Sequence, residues 1–292
     1  KSTSLMTFKG AWITSYSGIN RSNWVIKDAE EAAGISDAEK AAYIAEAKTL
    51  KAFYYLQLWK FWGNKARYPR TYYEKNLEFP YIAEQLSANE VYNKVIAMLE
   101  EVINSKALPM KETKTRCGHA TQAFAEMLFA DYVMYQKDEN RYQQALGYME
   151  DIISSTKYSL MSDYASIWEY SGEWCDESIY EINYCAKGSK RGWGNANAPG
   201  GTVVPAMIGI DGLSYKASDA HLAADPNYSP KQELNGGWGF CDVSKEVYDL
   251  YEQNDIRRTG GILYMKDYAA DYKARTGDDV TYGGRYQNTG IF

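Results

Sequence analysis

Between Gly34 and Gly63 the chain runs without a single Pro or Gly, and this uninterrupted run constrains the fold more than any other feature. Ser36-Asp-Ala-Glu39 opens it as a capping box, in which hydroxyl and carboxylate satisfy each other's orphan backbone amides. Roughly 26 residues at 1.5 Å each give a rod of about 39 Å. Gly63 suits the left-handed residue that ends such a rod. Ala41, Ile44, Ala45, Ala52, Tyr55, Leu56 and Trp59 fall near helical spacing, small residues first and aromatics last. A helix this apolar cannot stand alone, so other helices must cover it.

The neighbouring sequence supplies them. Phe8 to Lys27 carries Trp12, Ile13, Tyr16, Ile19, Asn20 and Trp24 at three- and four-residue spacing, which predicts a helix. Residues 64–86, with Pro69 and Pro80 and no helical period, read as a loop. Ser87-Ala-Asn-Glu90 is a second capping box, followed by the apolar stripe Val91, Val95, Leu99, Val102 and Ile103. Pro109 lies just past its end. A helix from about Gly118 to Gln136 is expected to bury Ala120, Ala123, Phe124, Met127 and Leu128. After the polar break 137–140, another buries Tyr142, Ala145, Leu146, Met149, Ile152 and Ile153. Helix, tight turn, helix, with Ala facing aromatics, is the tetratricopeptide pattern. Each such hairpin leaves one apolar face, so neighbours stack to cover it. Residues 1–155 are expected to form this scaffold.

Residues 156–292 change character. Tyr158-Ser-Leu160 reads as extended, and Glu177-Ser-Ile-Tyr-Glu-Ile-Asn-Tyr184 alternates like a short strand. Between Ala186 and Gly239, Gly, Pro and Trp recur without a sustained period. A long irregular segment that keeps its Trp is poorly described as disordered, because disordered segments lack aromatics. Helical period returns from Val243 to Gln253, and the sequence past Gly260 is loop-like. With Lys1 at one end and no closing element after Asn288, the sequence reads as a piece of a longer protein.

Composition excludes several chemistries. A net charge of −6 gives no basic footprint for nucleic acid. Cys117, Cys175, Cys185 and Cys241 show no metal-ligand spacing, and His119 and His221 are the only histidines, so no metal or cofactor is expected. Cys175 and Cys185 are the one pair close enough in sequence to suggest a disulfide. No glycine-rich phosphate loop, His-Glu-x-x-His or Gly-x-Ser-x-Gly elbow is present. His119, near a helix start, reads as packed or solvated; His221 shows no base partner. Paired loop carboxylates, from Asp211, Asp219, Asp225, Glu233 and Asp242, are the remaining catalytic option, the arrangement glycoside hydrolysis needs. Loop Asp and Glu are more commonly turn formers.

Aromatic content points elsewhere. With 27 Tyr and 8 Trp, many phenols must lie near solvent, because a buried one needs a hydrogen-bond partner. Sugar rings pack flat C–H faces on Trp and Tyr while their hydroxyls take Asn, Asp or Arg. Arg191-Gly-Trp193-Gly-Asn195, then Asn197, Tyr215 and Trp238 within Gly236-Gly-Trp-Gly239, offer that mixture. The candidate ligand contacts are therefore Trp193, Trp238 and Tyr215 as stacking rings, with Arg191, Asn195 and Asn197 as hydrogen-bonding groups. The competing reading makes Trp238 a plug that holds its loop on the scaffold.

The run Glu46-Ala-Lys-Thr-Leu-Lys-Ala-Phe-Tyr-Tyr-Leu-Gln-Leu-Trp-Lys-Phe-Trp-Gly63 resembles the Glu-Ala-Arg-x-Leu-Arg-Ala-x-x-Tyr-Phe helix, ending in Phe-Gly, of the SusD/RagB family. These are outer-membrane nutrient-binding lipoproteins. Further blocks match in family order: Arg116 with Ala120; Tyr158-Ser-Leu160 with Glu177-Ser-Ile-Tyr-Glu181; Gly237-Trp-Gly-Phe240 with Val247-Tyr-Asp-Leu-Tyr-Glu252 and Asp255-Ile-Arg-Arg258; and Asn288-Thr-Gly290. Asn64-Lys-Ala-Arg67 stands where the family usually has a Val-Pro turn. The acylated N-terminal Cys and the later C-terminal helices of the family have no counterpart here.

The resemblance implies a mainly α fold, with tetratricopeptide-like hairpins carrying a long, irregular, loop-rich ligand-binding region. It also implies a cell-surface lipoprotein of the outer membrane, partnered by a SusC-like TonB-dependent barrel. The expected function is non-catalytic capture of oligosaccharide or polysaccharide nutrients for that transporter. Peptide capture by the same architecture, a glycan-active enzyme, and a scaffold that only docks to the barrel are the alternatives.

Overall fold

The computed structural model describes residues 6–62, 86–183, 204–284, 286 and 289–291. The chain divides into two compact units, one of residues 1–160 with 174–200 and one of residues 161–173 with 201–292.

The first unit is a stack of antiparallel helices: α1 (Met6–Glu31), α2 (Asp37–Trp62), α3 (Ala88–Ser105), α4 (Gln122–Gln136) and α5 (Tyr142–Ser154). Each packs on the next, and α2 also touches α4. Both predicted capping boxes are formed. Ser36 and Ser87 donate their backbone amides to Glu39 and Glu90, each at 2.8 Å, while their hydroxyls accept from the Glu amides. α3 and α4 end on Lys106 and Lys137 in the left-handed conformation.

Aromatics from α2 fix the packing. Trp59 sets its ring edge-on against Tyr92 and Tyr132, both at 5.8 Å. Tyr132 is fully buried and donates its hydroxyl to the Ala52 carbonyl at 2.8 Å, as a buried phenol must. Glu46, the first residue of the family signature, reaches across to the start of α4. Its carboxylate accepts from the Ala120 amide at 3.2 Å and meets His119 Nδ1 at 3.0 Å.

Several expectations need correction. α4 starts at Gln122, not near Gly118, because Thr121 caps it by accepting from the Phe124 amide. Met127, Leu146 and Ile153 are exposed. α5 buries the narrow line of Ala145 and Ile152, and the next residue along a helix points about 100° away. No ladder forms over 177–183; the neighbours Ile179 and Tyr180 both pack against the helices, and Tyr180 lies flat on Phe124 at 4.0 Å and 6°. Of the loop predicted over 64–86, residues 64–85 lie outside the described residues, as does Gly63.

The second unit is built from short pieces: α6 (Val204–Ile208), β1 (Ser214–Lys216), α7 (Asp219–Ala224), β2 (Val243–Ser244), α8 (Lys245–Leu250), α9 (Ile256–Gly260), β3 (Leu263–Tyr264), α10 (Met265–Thr276), β4 (Asp279–Thr281) and β5 (Thr289–Ile291). β1 pairs antiparallel with β4, Tyr215 opposite Val280, and β5 lies between β2 and β3. Ile210, Met265 and Tyr286 form its small core. The tail past Gly260 is thus not loop-like. α10 turns Met265 and Tyr272 inward, at the i, i+7 spacing of one helical face, and Gly277 closes it at φ 81°. The helix expected over 243–253 is shorter than predicted, because Val243–Ser244 is drawn into β2 and Ser244 caps α8.

Candidate functional site

Four consecutive main-chain hydrogen bonds tie residues 237–240 to the end of α6. Gly237, Trp238, Gly239 and Phe240 donate to Ile210, Ala206, Gly209 and Met207 at 2.7–2.8 Å. Two glycines permit this approach. A Cβ on Gly237 would sit 2.6 Å from the Gly209 Cα, and one on Gly209 3.1 Å from the Gly237 Cα. The ribbon so anchored presents Trp238, 40% exposed, beside Phe240, 61% exposed, with ring centroids 5.7 Å apart at 45°. Gly239 between them turns the backbone at φ 60°, and the two rings in contact form one aromatic surface on this support.

Tyr215 has a different setting. Its hydroxyl meets that of Tyr268 at 2.8 Å and accepts from the Leu234 amide at 2.9 Å, while its ring packs edge-on against Tyr272. The structure therefore pairs Trp238 with Phe240 and Tyr215 with Tyr272; the phenol of Tyr215 closes a network in place of presenting a free hydroxyl. Arg275 completes that network with a fork onto Glu233 at 3.1 and 3.0 Å. The guanidinium holds the Glu233 carboxyl below its usual range. Arg191, Trp193, Asn195 and Asn197 lie outside the described residues, as does Cys185; Cys117, Cys175 and Cys241 are free thiols.

His221, expected to lack a base partner, has one in Asp278 at 2.7 Å. That carboxylate, 1% exposed at its side chain, also accepts from the Ser218 amide at 2.8 Å and the Tyr228 hydroxyl at 2.7 Å. Burial pushes its pKa up, but these three hydrogen bonds outweigh burial and bring it to about 2. The Ser218 hydroxyl is no nucleophile for the pair, because it caps α7 by accepting from the His221 amide. The cluster pins α7 to the turn after α10.

A carboxyl whose folded pKa is depressed stabilises the fold above its unfolded value, near 3.9, and that contribution is lost as pH falls toward 2. Thermal midpoints of the wild type are expected to drop more steeply between pH 4 and pH 2 than those of Asp278→Asn. Parallel pH profiles would exclude this role.

Phe240 and Asp278 escaped the sequence reading. The Trp-x-Phe spacing could have shown Phe240; nothing local marks Asp278 as buried. Among the described residues no group of three or more His, Cys, Asp or Glu could hold a metal ion.

No family model matches the chain. A curated relative, SusD-like protein P25 of Formosa agariphila, is 21% identical over 271 residues, 88% of this chain and 49% of the relative. Surface glycan-binding protein A from Bacteroides thetaiotaomicron, solved in complex with laminarihexaose, is 39% identical with a TM-score of 0.76, over 97% of this chain and 55% of that one. A laminarin-binding SusD-like protein shares the fold at a TM-score of 0.72 and 23% identity, over 96% of this chain and 57% of that one. The chain spans about half the length of each. In sequence and in fold, the chain is similar to the SusD-like proteins.

Proposed function

We propose that this chain is the part of a cell-surface protein that captures oligosaccharides by stacking them on Trp238 and Phe240, without cleaving them. The observation that carries the reading is the exposed ring pair held by four backbone hydrogen bonds. Rings fixed before binding lose little entropy when a sugar arrives. The 39% identity with a protein solved with laminarihexaose supports a glucan-type ligand. Arg191, Trp193, Asn195, Asn197 and Tyr215 are proposed as further ligand contacts on the chemistry of their side chains alone.

Two observations favour binding over hydrolysis. Glu233 is neutralised by Arg275, and Asp278 is buried and saturated, so neither carboxylate is available as a general acid. We assign the captured glycan to a SusC-like TonB-dependent barrel as recipient, with the protein held on the outer membrane by an N-terminal lipid anchor. Stacking contributes about 0.5–1.5 kcal/mol per ring beyond burial, and two rings with few polar contacts give affinities of roughly micromolar to millimolar.

Titration with laminarihexaose tests this. Trp238→Ala is expected to weaken binding about tenfold or more, a loss of about 1.4 kcal/mol, with circular dichroism unchanged. Unchanged affinity would remove Trp238 from the site. Release of reducing ends during incubation would overturn the non-catalytic reading, and preference for peptides over every glycan would overturn the ligand class.

A further inference from the structure

The turn joining α8 to α9 borders an open surface groove of about 540 Å³, lined by Val247, Leu250, Tyr251, Glu252, Asp255 and Arg257. None of these residues belongs to the Trp238–Phe240 ribbon. The volume falls within the range of small-molecule sites, about 300–1,000 Å³.

The lining has two chemistries. Val247 and Leu250 are apolar and exposed, Leu250 to 81%. Opposite in character is a fixed ion pair. Asp255 caps α9 by accepting from the Arg257 amide at 2.9 Å, and takes the Arg257 guanidinium on both oxygens, Nε on Oδ1 at 2.9 Å and Nη2 on Oδ2 at 2.6 Å. That guanidinium lies 5.7 Å from the centre of the Tyr251 ring. A planar fork of this kind loses little freedom when it takes further hydrogen bonds, and it offers donors and acceptors side by side.

A neutral pyranose presents the complementary surface: an apolar C–H face for Tyr251 and Leu250, and a rim of hydroxyls for the Asp255–Arg257 pair. Two carboxylates against one guanidinium leave the lining with a net negative charge, which opposes uronates and sulfated sugars. We propose that the α8–α9 groove is a second contact site for a neutral glycan, so that one long chain is held at two points. The proposal rests on the glycan-binding reading above and adds a separate site to it. Two linked contacts on one polysaccharide raise the apparent affinity above that of either alone.

Laminarihexaose and the polysaccharide laminarin are the probes, titrated against the full-length protein. Leu250→Arg fills the groove from an exposed position and leaves the core untouched; Tyr251→Ala, checked by circular dichroism, removes the ring. Trp238→Ala is expected to keep residual hexasaccharide binding, and adding Leu250→Arg to remove it. Leu250→Arg alone is expected to weaken laminarin binding tenfold or more while changing hexasaccharide affinity less. Loss of all binding in Trp238→Ala, with Leu250→Arg and Tyr251→Ala both behaving as wild type, overturns the second site and leaves the first standing. No binding of either probe by the wild type overturns both.

Discussion

A Gly237→Ala protein is expected to lose laminarihexaose binding at the Trp238–Phe240 pair and to keep only the residual binding of the α8–α9 groove. The added Cβ would lie 2.5 Å from the Ala206 carbonyl oxygen and 2.6 Å from the Gly209 Cα. Both are backbone atoms, so no side-chain rotation relieves the clash and the ribbon itself must move. Displacement breaks the hydrogen bonds from residues 237–240, each worth about 0.5–1.5 kcal/mol net. The aromatic pair then loses its support. Gly284→Ala, where a Cβ meets nothing within 4 Å, is the matched control and is expected to bind normally. Wild-type affinity in Gly237→Ala, with native circular dichroism, would show that the ribbon does not carry the ligand.

The largest loss of stability is expected from Phe129→Ala. Phe129 is fully buried at the centre of α4, its ring edge-on to Tyr148 at 5.0 Å. Removing a large core ring costs the transfer energy plus the cavity left behind, about 3–5 kcal/mol. On the same helix Met134 is 59% exposed, and Met134→Ala is expected to change stability by less than about 0.5 kcal/mol. Urea unfolding followed by helical circular dichroism reads both. A Phe129→Ala shift below about 1 kcal/mol would mean that the helices repack around the hole.

The helical scaffold was legible because its signals are local. Capping boxes at Ser36 and Ser87 and an unbroken run to Trp62 depend on residues three or four apart, and the structure forms both caps. Phase was less legible: Leu146 and Ile153 look like core by spacing, yet in α5 only Ala145 and Ile152 are buried, with Tyr142 and Tyr148 half-buried beside them. The second unit hid its order because its helices are short and its strands two or three residues long. α10 carries its inward face on Met265 and Tyr272, and Tyr reads as polar in a hydrophobic pattern.

The site divides the same way. Trp238 was visible through its flanking glycines, whose purpose is the close approach of two backbones. Tyr215 was visible only as an aromatic; its partners Tyr268, Leu234 and Tyr272 lie 19 to 57 positions away, and no short-range pattern announces them. The Asp278 cluster is equally non-local, drawing Ser218, His221 and Tyr228 to one carboxylate.

Tyr180 completes the packing around Phe124, yet it follows residues 161–173, which belong to the other unit. A ribosome must therefore deliver that detour before the helical stack can seal, and a nascent chain that has reached only α5 leaves the Phe124 face uncovered. Closing a contact over so long an interval is slow relative to helix formation. Translation pausing between α5 and Tyr180 thus prolongs the interval in which this ring is open to chaperones and proteases.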